Sequence, residues 1–551
     1  MGVSVNKHSI CAALLTLLGA CGGAADPGQV NSPAPTIAPI PNPTPNPTPT
    51  PPLTQRYTLT IAKTGSGTIA SAPSGIDCGA SCSASFSVGT SLTLTAAAAA
   101  GATFVGWSGS GIACAGSGPC TLALNASNTI SALFSTPSPG SSNYNCADAK
   151  VRCVAQTAGA SQEYATIALA AAAAKPGDIV LVHSGNYAGF TVTTSGTAAQ
   201  PIQFIANSND VIIGKAGNTE SDAIHLRNVS YIGIEGFTIR NDASSSPRIH
   251  RCIAARGATP GQPMRGNTLR NNRCIAAEAE GFYLSQFADS LVETNTISGS
   301  GTSGQTRAHG VYLANAGSNG TTIRGNTIFG NANGESNGIH ANGDLSVGGS
   351  GLIRNIVVEG NIVYGNGQSG INMDGVQDSL FQNNLIYGNA RHAIRAYMID
   401  GAAGPANLHF VNNSLVASGG WAIKLSEDSG GHVVFNNLLF GSTGSLCVGA
   451  NSLASNNNVA GGSFSNDTEA SVITIATWRS RTGQDANSQS STQAAVFKNT
   501  AAADYSLSNT SPARDKGVAT FSSVAAPQKD ILGAPRAQGI AIDAGAYELM
   551  P

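Results

Sequence analysis

The sequence has little charge and lacks long apolar runs after its N-terminal segment. Each of these two features excludes one class of protein. Only 11% of its 551 residues are charged, and the formal net charge at pH 7 is −2. A nucleic-acid-binding protein presents a basic field, which this balance does not supply. No later apolar stretch reaches the roughly 20 residues that a helix needs to cross a bilayer. The sequence therefore predicts no nucleic-acid partner and no later membrane-spanning helix.

Glycine is abundant instead. It contributes 66 residues, and serine and asparagine are also frequent. Such residues favour tight turns, which are typical of β-structure rather than of helix bundles. The length exceeds what one compact core accommodates, so two or three domains are expected. The composition indicates a β-rich secreted protein, and we expect a monomer.

Residues 1–21 carry the features of an export signal. Lys7 precedes a short apolar run that ends in the sequence Leu-Gly-Ala-Cys. This ending resembles the lipobox of bacterial lipoproteins, which implies cleavage before Cys21 and attachment of lipid to its sulfur. An ordinary secretory signal with an incidental cysteine is the alternative. Because Gly22 is not the aspartate that commonly retains lipoproteins at the inner membrane, we expect an outer-membrane lipoprotein that faces the periplasm or the cell surface.

The cysteines also fit an exported protein. Apart from Cys11 and Cys21 in the export segment and Cys447, they lie in near pairs, which predicts disulfides in an oxidising compartment. The predicted disulfide residues are Cys78, Cys82, Cys114, Cys120, Cys146, Cys153, Cys252 and Cys274. Spacing leaves their pairing open. Cys447 is expected to be a buried free thiol.

Residues 22–54 and 55–136 are predicted as a tether and a small β module. Proline and threonine dominate residues 22–54, which favours an extended polyproline II conformation. Such a segment holds the folded part away from the lipid surface and does not pack into a core. Strand-like alternation follows, for example over 57–61. The sequence over 75–78 and the Phe-Val-Gly-Trp run ending at Trp107 resemble the divergent InlB B-repeat domain. That resemblance implies a spacer or adhesion module without catalytic residues. We expect Trp107 in its core.

Residues 146–465 are predicted to form a parallel β-helix. An alanine-rich helix is expected over 165–174, because a Lys-Pro-Gly-Asp sequence ends it, and a strand is expected over 179–182. A helix that covers the first strand protects an open edge from aggregation. This opening, through 185–187, resembles that of pectate-lyase-like β-helix proteins. The resemblance implies an all-β, right-handed solenoid and activity on polysaccharides.

Two ladders recur along this region, as expected for stacked coils. One is an asparagine before a short apolar strand, which marks a turn because asparagine tolerates left-handed backbone and bonds to its neighbour on the next coil. Its members are Asn267, Asn295, Asn326, Asn361, Asn384, Asn413 and Asn437. The other is an apolar-x-apolar triplet whose outer members point inward. Its middle residues, expected to point outward, are His225, Tyr283, Tyr312, His340, Asn372, Arg395 and Lys424.

Residues 466–551 are predicted to close the β-helix. The sequences over 504–507, 511–515 and 542–548 resemble the C-terminal signature of choice-of-anchor Q β-helix proteins. Four charged residues are expected to form a structural ion-pair network, with a metal site as the alternative: Asp530, Arg536, Asp543 and Glu548.

The middle residues of successive triplets are expected to form one straight line, because stacked coils lie about 4.8 Å apart. We call this line the column and define it as Tyr283, Tyr312, His340, Asn372, Arg395 and Lys424. Aromatic rings pack on sugar faces, and arginine binds a carboxylate through two hydrogen bonds. The column therefore predicts a groove for an anionic polysaccharide, with Tyr283 and Asn372 as substrate-binding residues.

Acidic residues follow the strands of the column at Asp344, Asp374 and Asp400, and Glu427 and Asp428 continue the series. Neighbouring turns would bring their oxygens together, and Ca²⁺ takes about six to eight oxygen ligands. The sequence therefore predicts a Ca²⁺ site at the three aspartates. The alternative is that each aspartate caps its own glycine turn.

Pectate-lyase-like proteins cleave acidic polysaccharides by β-elimination, and that resemblance implies a polysaccharide lyase. The reaction needs a group that neutralises the uronate carboxylate, a base that removes the C5 proton and an acid that protonates the leaving oxygen. The predicted catalytic residues are Arg395 for the carboxylate (with Asn372 or Ca²⁺ as alternatives), Lys424 or His340 as base, Tyr312 as acid and His309 as an assisting group.

Three other functions stay open. A surface adhesin or glycan-binding protein without activity fits the N-terminal module and the lipid anchor, since fold alone establishes no activity. A glycoside hydrolase would need paired carboxylates, which the three aspartates could supply, but the motifs of the polygalacturonase-type family are absent. A C5-epimerase uses similar acid and base groups, but its Asp-Pro-His type motif is also missing.

Overall fold

The computed structural model describes residues 55–549 with twelve short gaps. The gaps are 65–66, 79–81, 99–102, 109–118, 136–143, 157–163, 242–245, 260, 305–306, 332–333, 427–429 and 450–452. The predictions for the export signal, the tether, Cys21, Cys114, Glu427 and Asp428 lie outside the described residues.

The strands of the N-terminal module form two sheets. The four-stranded sheet has the order Ser83–Ser87, Arg56–Thr64, Asn128–Ser135, Thr103–Ser108. The three-stranded sheet has the order Gly67–Ala72, Thr90–Ala98, Cys120–Leu124. Trp107 is buried and its ring meets that of Phe104 edge-on, with centroids 4.8 Å apart, so it lies in the core as predicted.

The main body is a right-handed parallel β-helix, as predicted, in which each coil contributes one strand to each of three long sheets. Sheet 1 contains Val151–Val154, Ile179–Val182, Ile202–Ala206, Ile232–Glu235, Thr268–Arg270, Leu291–Glu293, Thr322–Arg324, Val357–Glu359, Val376–Gln382, Ala406–Val411, His432–Phe435 and Leu453–Asn456, with Ile353–Arg354 beside Val376–Gln382. Sheet 2 contains Gly185–Ala188, Val211–Lys215, Thr238–Arg240, Arg273–Ile275, Thr296–Ser298, Thr327–Phe329, Ile362–Tyr364, Leu385–Tyr387, Ser414–Ala417, Leu438–Gly441, Val459–Ala460 and Gln489–Ser490. Sheet 3 contains Phe190–Val192, Asp222–Arg227, Arg251–Arg256, Phe282–Ser285, Val311–Ala314, Ile339–Asn342, Ile371–Asp374, Ile394–Tyr397, Trp421–Leu425, Gly444–Cys447, Ser463–Ser465 and Ile473–Thr474.

The core of the solenoid is formed by the inward members of the short strands. In sheet 3, the outer residues of each apolar-x-apolar triplet are buried, as Val311 and Leu313 illustrate. Alternation along a strand then turns the middle residue outward. Burial of apolar area, at about 25 cal/mol per Å², is the main force that holds the coils in this register, because a shift by one residue would expose every inward side chain.

The asparagine ladder lies at the turn before sheet 2, with one correction to the predicted membership. Side-chain amides bond from coil to coil, for example Asn326 Nδ2 to Asn361 Oδ1 at 3.0 Å and Asn361 Nδ2 to Asn384 Oδ1 at 3.0 Å. Asn267 precedes sheet 1 instead, and the ladder begins at Asn272. Left-handed backbone belongs to the preceding residue, as at Asn383 with φ of 55°.

Both ends of the solenoid are covered. The helix Ile167–Ala173 covers the first coils, with Thr166 as its N-cap. At the other end, the helix Ile475–Thr482 stacks Trp478 on Phe464. The remaining short elements are the helix Gln493–Val496, the 3₁₀ helices Leu345–Val347 and Thr500–Ala502, and the strand pairs Met264–Arg265 with Phe287–Ala288, Phe497–Asn499 with Asp504–Leu507, and Thr520–Phe521 with Val524–Ala525.

The charged residues of the C-terminal segment form a buried network rather than an open site. Arg536 donates to Glu548 Oε2 at 3.3 Å and to the carbonyl oxygen of Gly545 at 2.9 Å, and it also contacts Asn383 of the solenoid. Asp530 accepts from the backbone N–H of Glu548 at 3.1 Å. These contacts fasten the segment to the coils, in line with the structural role predicted for these residues.

Disulfides join the near pairs where both cysteines are described. The bonds are Cys78–Cys82, Cys146–Cys153 and Cys252–Cys274, Cys120 is also disulfide-bonded, and Cys447 is a buried free thiol. Within the described ranges, no helix combines the length and the apolar character needed to span a membrane.

Candidate functional site

The register of sheet 3 places the six residues of the column opposite one another, one on each successive coil. Tyr283 pairs with Tyr312, Tyr312 with His340, His340 with Asn372, Asn372 with Arg395, and Arg395 with Lys424. Side chains that are far apart in sequence are therefore neighbours on one outward face.

Three aromatic or imidazole rings lie together near the middle of the column. The Tyr312 ring centroid lies 5.1 Å from that of His340 and 5.6 Å from that of Tyr283. His309, just before the Tyr312 strand, adds a fourth ring, 4.6 Å from His340 and 5.3 Å from Tyr312. The structure therefore brings together Tyr283, Tyr312, His340 and His309.

His309 is held by the backbone of the next coil. Its Nδ1 accepts the N–H of Asn337 at 3.0 Å, so the hydrogen of the neutral ring lies on Nε2. Burial, with smaller contributions from His340 and Arg307, lowers the pKa of His309 well below its usual value. In this arrangement His309 is a neutral hydrogen-bond donor and has no free lone pair to act as a base.

A second outward line runs beside the column, two residues further along each strand. It contains Ser285, Ala314, Asn342, Asp374 and Tyr397, which pair in register. Tyr397 was not among the predicted site residues. The alternation that turns Arg395 outward also turns Tyr397 outward, so the signal for it was present in the sequence.

Asn372 links the two lines. Its Nδ2 lies 3.0 Å from His340 Nδ1 and donates to the Tyr397 hydroxyl at 2.8 Å. The guanidinium of Arg395 lies over the Tyr397 ring, 4.0 Å from its centroid, which is a cation–π arrangement. Imidazole, amide, phenol and guanidinium thus form one continuous contact chain.

Burial sets the protonation of the ionisable groups in this chain. Desolvation lowers the pKa of His340 to about 4, against a smaller opposing effect of the Asn372 hydrogen bond. Desolvation also raises the pKa of Tyr312 to about 12 and raises that of Tyr397. At neutral pH the imidazole is therefore uncharged and both phenols keep their protons.

Among the described residues, no acidic side chain pairs with the guanidinium of Arg395, and its Nε is buried without a hydrogen-bond partner. A half-buried guanidinium without an ion-pair partner costs free energy, since buried charges are normally paired. An incoming carboxylate would supply the missing partner.

Lys424 differs from Arg395 in this respect. Its ammonium pairs with Glu469, whose other oxygen accepts from the Trp421 indole at 2.6 Å. Burial would raise the pKa of Glu469, but these two donors outweigh it and the net shift is downward. The ion pair with Glu469 already engages the Lys424 ammonium, so these contacts favour His340 over Lys424 as the base.

Two of the three aspartates of the predicted Ca²⁺ site serve turns, and the third, Asp400, accepts from Asn342 Nδ2 at 3.4 Å. Asp374 accepts backbone N–H groups of Ile399, Asp400 and Gly401 at 2.8–3.1 Å. Asp344 caps the helix Leu345–Val347 through the N–H of Ser346 at 2.9 Å. Among the described residues, the groups that bring three ligand atoms within 4.8 Å of one another contain none of these aspartates. This donor set does not fit Ca²⁺.

A cavity of about 650 Å³ lies near the first coils, away from the column. Its walls include Tyr187, Lys215 and Asn218 and none of the column residues. The column runs along the outer side of sheet 3 over six coils, which suits a long polymer better than a small molecule, although His340 and Asn372 are only 8% and 6% exposed. The chemistry therefore favours the column over the cavity as the candidate site.

Comparison with protein families gives three matches along the chain. Residues 335–464 match the right handed beta helix region, residues 57–138 match the divergent InlB B-repeat domain, and residues 177–346 match the periplasmic copper-binding protein (NosD). Comparison with curated protein sequences finds no match.

Solved structures with a similar backbone fold include a pectate lyase, Pel9A, at 14% sequence identity and a TM-score of 0.48. The match covers 72% of this chain and 96% of that one. XylC with xylose follows at 10% identity and a TM-score of 0.42, covering 73% and 98%. An alginate lyase from Paenibacillus sp. str. FPU-7 has 17% identity and a TM-score of 0.33, covering 55% and 95%. Structural similarities at these identities and TM-scores assign no activity to this chain.

The choice-of-anchor Q resemblance of the C-terminal segment stays a prediction. The resemblance to the divergent InlB B-repeat domain is confirmed by the family match over 57–138, and the predicted β-helix by the match over 335–464 and by the strand topology. The chain carries a right-handed β-helix region preceded by a divergent InlB B-repeat domain.

Proposed function

We propose that the protein is an extracytoplasmic polysaccharide lyase that cleaves an anionic polysaccharide by β-elimination on the outer face of sheet 3. The observation that carries this proposal is the unpaired guanidinium of Arg395 in contact with the His340–Asn372–Tyr397 chain. A carboxylate-bearing sugar satisfies that charge and lies beside a neutral imidazole and a protonated phenol.

Arg395 neutralises the uronate carboxylate. Removing the proton at C5 places negative charge on that carboxylate, and a guanidinium that is already in place stabilises it without reorganisation. The Tyr397 ring lies against the guanidinium and keeps the guanidinium plane oriented, so Tyr397 is a positioning residue.

His340 removes the C5 proton, provided that its free lone pair lies on Nε2. Rotating the Asn372 amide by 180° keeps every heavy-atom contact and exchanges donor for acceptor. Asn372 Oδ1 then accepts from His340 Nδ1–H and from the Tyr397 hydroxyl, and Nε2 is free. The amide thus selects the tautomer of the base.

Tyr312 protonates the leaving oxygen. In the rotated arrangement the Tyr397 O–H donates a hydrogen bond to Asn372 Oδ1, whereas Tyr312 accepts a hydrogen bond from Asn342 Nδ2 at 3.3 Å and keeps its O–H available. His340 takes the C5 proton, the electron pair of the C5–H bond forms the C4–C5 double bond, and the electron pair of the C4–O bond leaves with the oxygen, which receives the phenol proton of Tyr312. Proton return from His340 to Tyr312 restores both groups.

This assignment predicts how turnover depends on pH. His340 acts only when deprotonated, so turnover should fall as pH drops toward about 4, where its lowered pKa lies. Tyr312, with a pKa of about 12, stays protonated through the alkaline range. We expect kcat/KM to stay level from about pH 6 to 9. A profile that rises from pH 6 to 9 would point to an ordinary lysine or histidine base instead.

One assay tests the proposed function. The full chain is incubated with a panel of polyuronates, and ultraviolet absorbance and reducing ends are followed together. Absorbance from the unsaturated product is the expected result. Reducing ends without absorbance would indicate a hydrolase, and product with inverted C5 but no cleavage would indicate an epimerase.

A binding protein without catalysis is the second candidate. The divergent InlB B-repeat match over 57–138 favours it, because such a module suits adhesion or spacing. In the same panel, retention on a polysaccharide column without any product would establish this function. Calcium chelation in a parallel sample tests the Ca²⁺ requirement, for which the described residues offer no fitting donor set at the three aspartates.

We further propose an outer-membrane lipoprotein anchored through Cys21, acting as a monomer. The family match of residues 177–346 to a periplasmic protein supports a location outside the cytoplasm. Disulfides in the described part of the chain fit an oxidising compartment.

A further inference from the structure

A second polar cluster lies on sheet 3, two coils before the start of the column. His225 pairs with Ala254, and Ala254 pairs with Tyr283, so His225 continues the same outward line. Glu220 and Asp222 lie next to its ring. None of these residues takes part in the proposed lyase chemistry.

Three ligand atoms converge in this cluster. His225 Nδ1 lies 3.1 Å from Glu220 Oε2 and 3.8 Å from Asp222 Oδ2, and all three atoms lie within 4.8 Å of one another. Ligands bound to Zn²⁺ at about 2.0–2.2 Å in a tetrahedron stand about 3.4 Å apart. The observed separations bracket that value.

A local turn holds these residues in place. Asn218 Oδ1 accepts the backbone N–H groups of Glu220 and Asp222, both at 3.0 Å, and Asp222 then opens the strand Asp222–Arg227. All three ligand residues come from one turn and the start of one strand. Their arrangement therefore needs no distant part of the chain.

The cluster also contains buried polar atoms without partners. Asp222 is 0% exposed and His225 is 1% exposed, yet Asp222 Oδ1 and His225 Nε2 have no hydrogen-bond partner. The charged groups beside Asp222 are the guanidinium of Arg256, with Nη2 3.2 Å from Asp222 Oδ2 and Nη1 3.7 Å from Glu220 Oε2, and that of Arg251, 3.6 Å from Asp222 Oδ1. Each side chain thus keeps one unsatisfied buried atom, and an ion bound at His225 Nδ1 would replace the contact that this atom makes with Asn218 Nδ2 at 3.0 Å.

We propose that Glu220, Asp222 and His225 form a binding site for a divalent transition-metal ion such as Zn²⁺. The imidazole nitrogen favours such an ion over Ca²⁺ or Mg²⁺, which prefer oxygen ligands. Three protein ligands leave one coordination position for water or for a carboxylate of a bound molecule. This proposal is independent of the lyase proposal.

A second group of potential metal ligands exists, and the test must distinguish it from the proposed site. Cys146, Cys153 and His183 also lie close together, but the two sulfurs are joined in a disulfide. A disulfide sulfur is a poor ligand because the thiolate is the metal-binding form. The oxidised protein is therefore expected to bind Zn²⁺ through the first cluster alone.

The test is calorimetric titration of Zn²⁺ into the untagged full chain at neutral pH, after treatment with a chelator. We expect one Zn²⁺ per chain at a dissociation constant of about 1 μM or tighter. Glu220→Gln and His225→Gln should each weaken binding at least about tenfold. Arg256→Gln should tighten it, because a positive charge beside the site is removed.

Glu220 is 40% exposed, so its substitution leaves the fold intact even where His225→Gln disturbs it. Zn²⁺ should also raise the unfolding temperature of the wild type and not that of Glu220→Gln. The proposal is overturned by the absence of stoichiometric binding, by equal affinity in the wild type and Glu220→Gln, or by affinity that is lost in His183→Gln and kept in Glu220→Gln.

Discussion

Replacing His340 with glutamine is expected to lower kcat on the cleaved polyuronate by about 10²- to 10⁴-fold, the usual contribution of a general base. Glutamine retains a hydrogen-bonding amide toward Asn372 but has no basic lone pair at neutral pH. Because the change affects only proton removal, KM should change little. Steady-state kinetics with absorbance detection measures both quantities.

His409→Gln is the matched control. His409 lies on sheet 1, half-buried and away from the column, so turnover should stay near the wild-type value. Thermal unfolding of both variants checks that the fold is kept. Wild-type turnover in His340→Gln would remove the imidazole from the mechanism and leave Lys424 as the remaining base predicted from the sequence.

Replacing Asn361 with alanine is expected to cost about 3–5 kcal/mol of unfolding free energy. Asn361 is 0% exposed, donates to Ile323 O at 2.9 Å and to Asn384 Oδ1, and accepts from the backbone and side chain of Asn326. Alanine leaves two or three buried groups without partners, at about 1–3 kcal/mol each. Urea unfolding followed by circular dichroism measures the loss.

Asn487→Ala, at an exposed turn, serves as the comparison and should change the free energy by less than about 0.5 kcal/mol. A similarly small loss of unfolding free energy in Asn361→Ala would mean that the coils relax to fill the space left by the missing amide. In that case the amide ladder would contribute little to holding the solenoid together.

The parts of the fold that follow from local pattern could be predicted from the sequence. Alternation with a period of two residues determines which member of a triplet points outward, so the order of the column follows once the coils are stacked. The helix over Ile167–Ala173 follows from its composition and from the proline and glycine that end it. These features depend on neighbours in sequence.

The asparagine ladder shows where local pattern fails. Asn267 and Asn272 both stand before short apolar strands, and only the stacking of coils shows that Asn272 shares a corner with Asn295. Loop lengths differ from coil to coil, so counting residues does not tell the two corners apart. The prediction chose the wrong one of the pair.

The features of the site that could not be predicted depend on partners that are distant in sequence. The pairing of Lys424 with Glu469 joins the column to a turn outside it, and no spacing rule connects the two residues. The turns that occupy Asp344 and Asp374 depend on backbone N–H groups whose direction is set by the folded loop. Tyr397 was missed although its position in the strand Ile394–Tyr397 carried the signal.

A structure of the His340→Gln variant with a bound oligouronate tests the central claim most directly. The account predicts a sugar chain on the outward face of sheet 3, with a carboxylate on the guanidinium of Arg395 and with C5 of that sugar next to residue 340. A sugar chain bound elsewhere, or an Arg395 guanidinium that no carboxylate contacts, would contradict it.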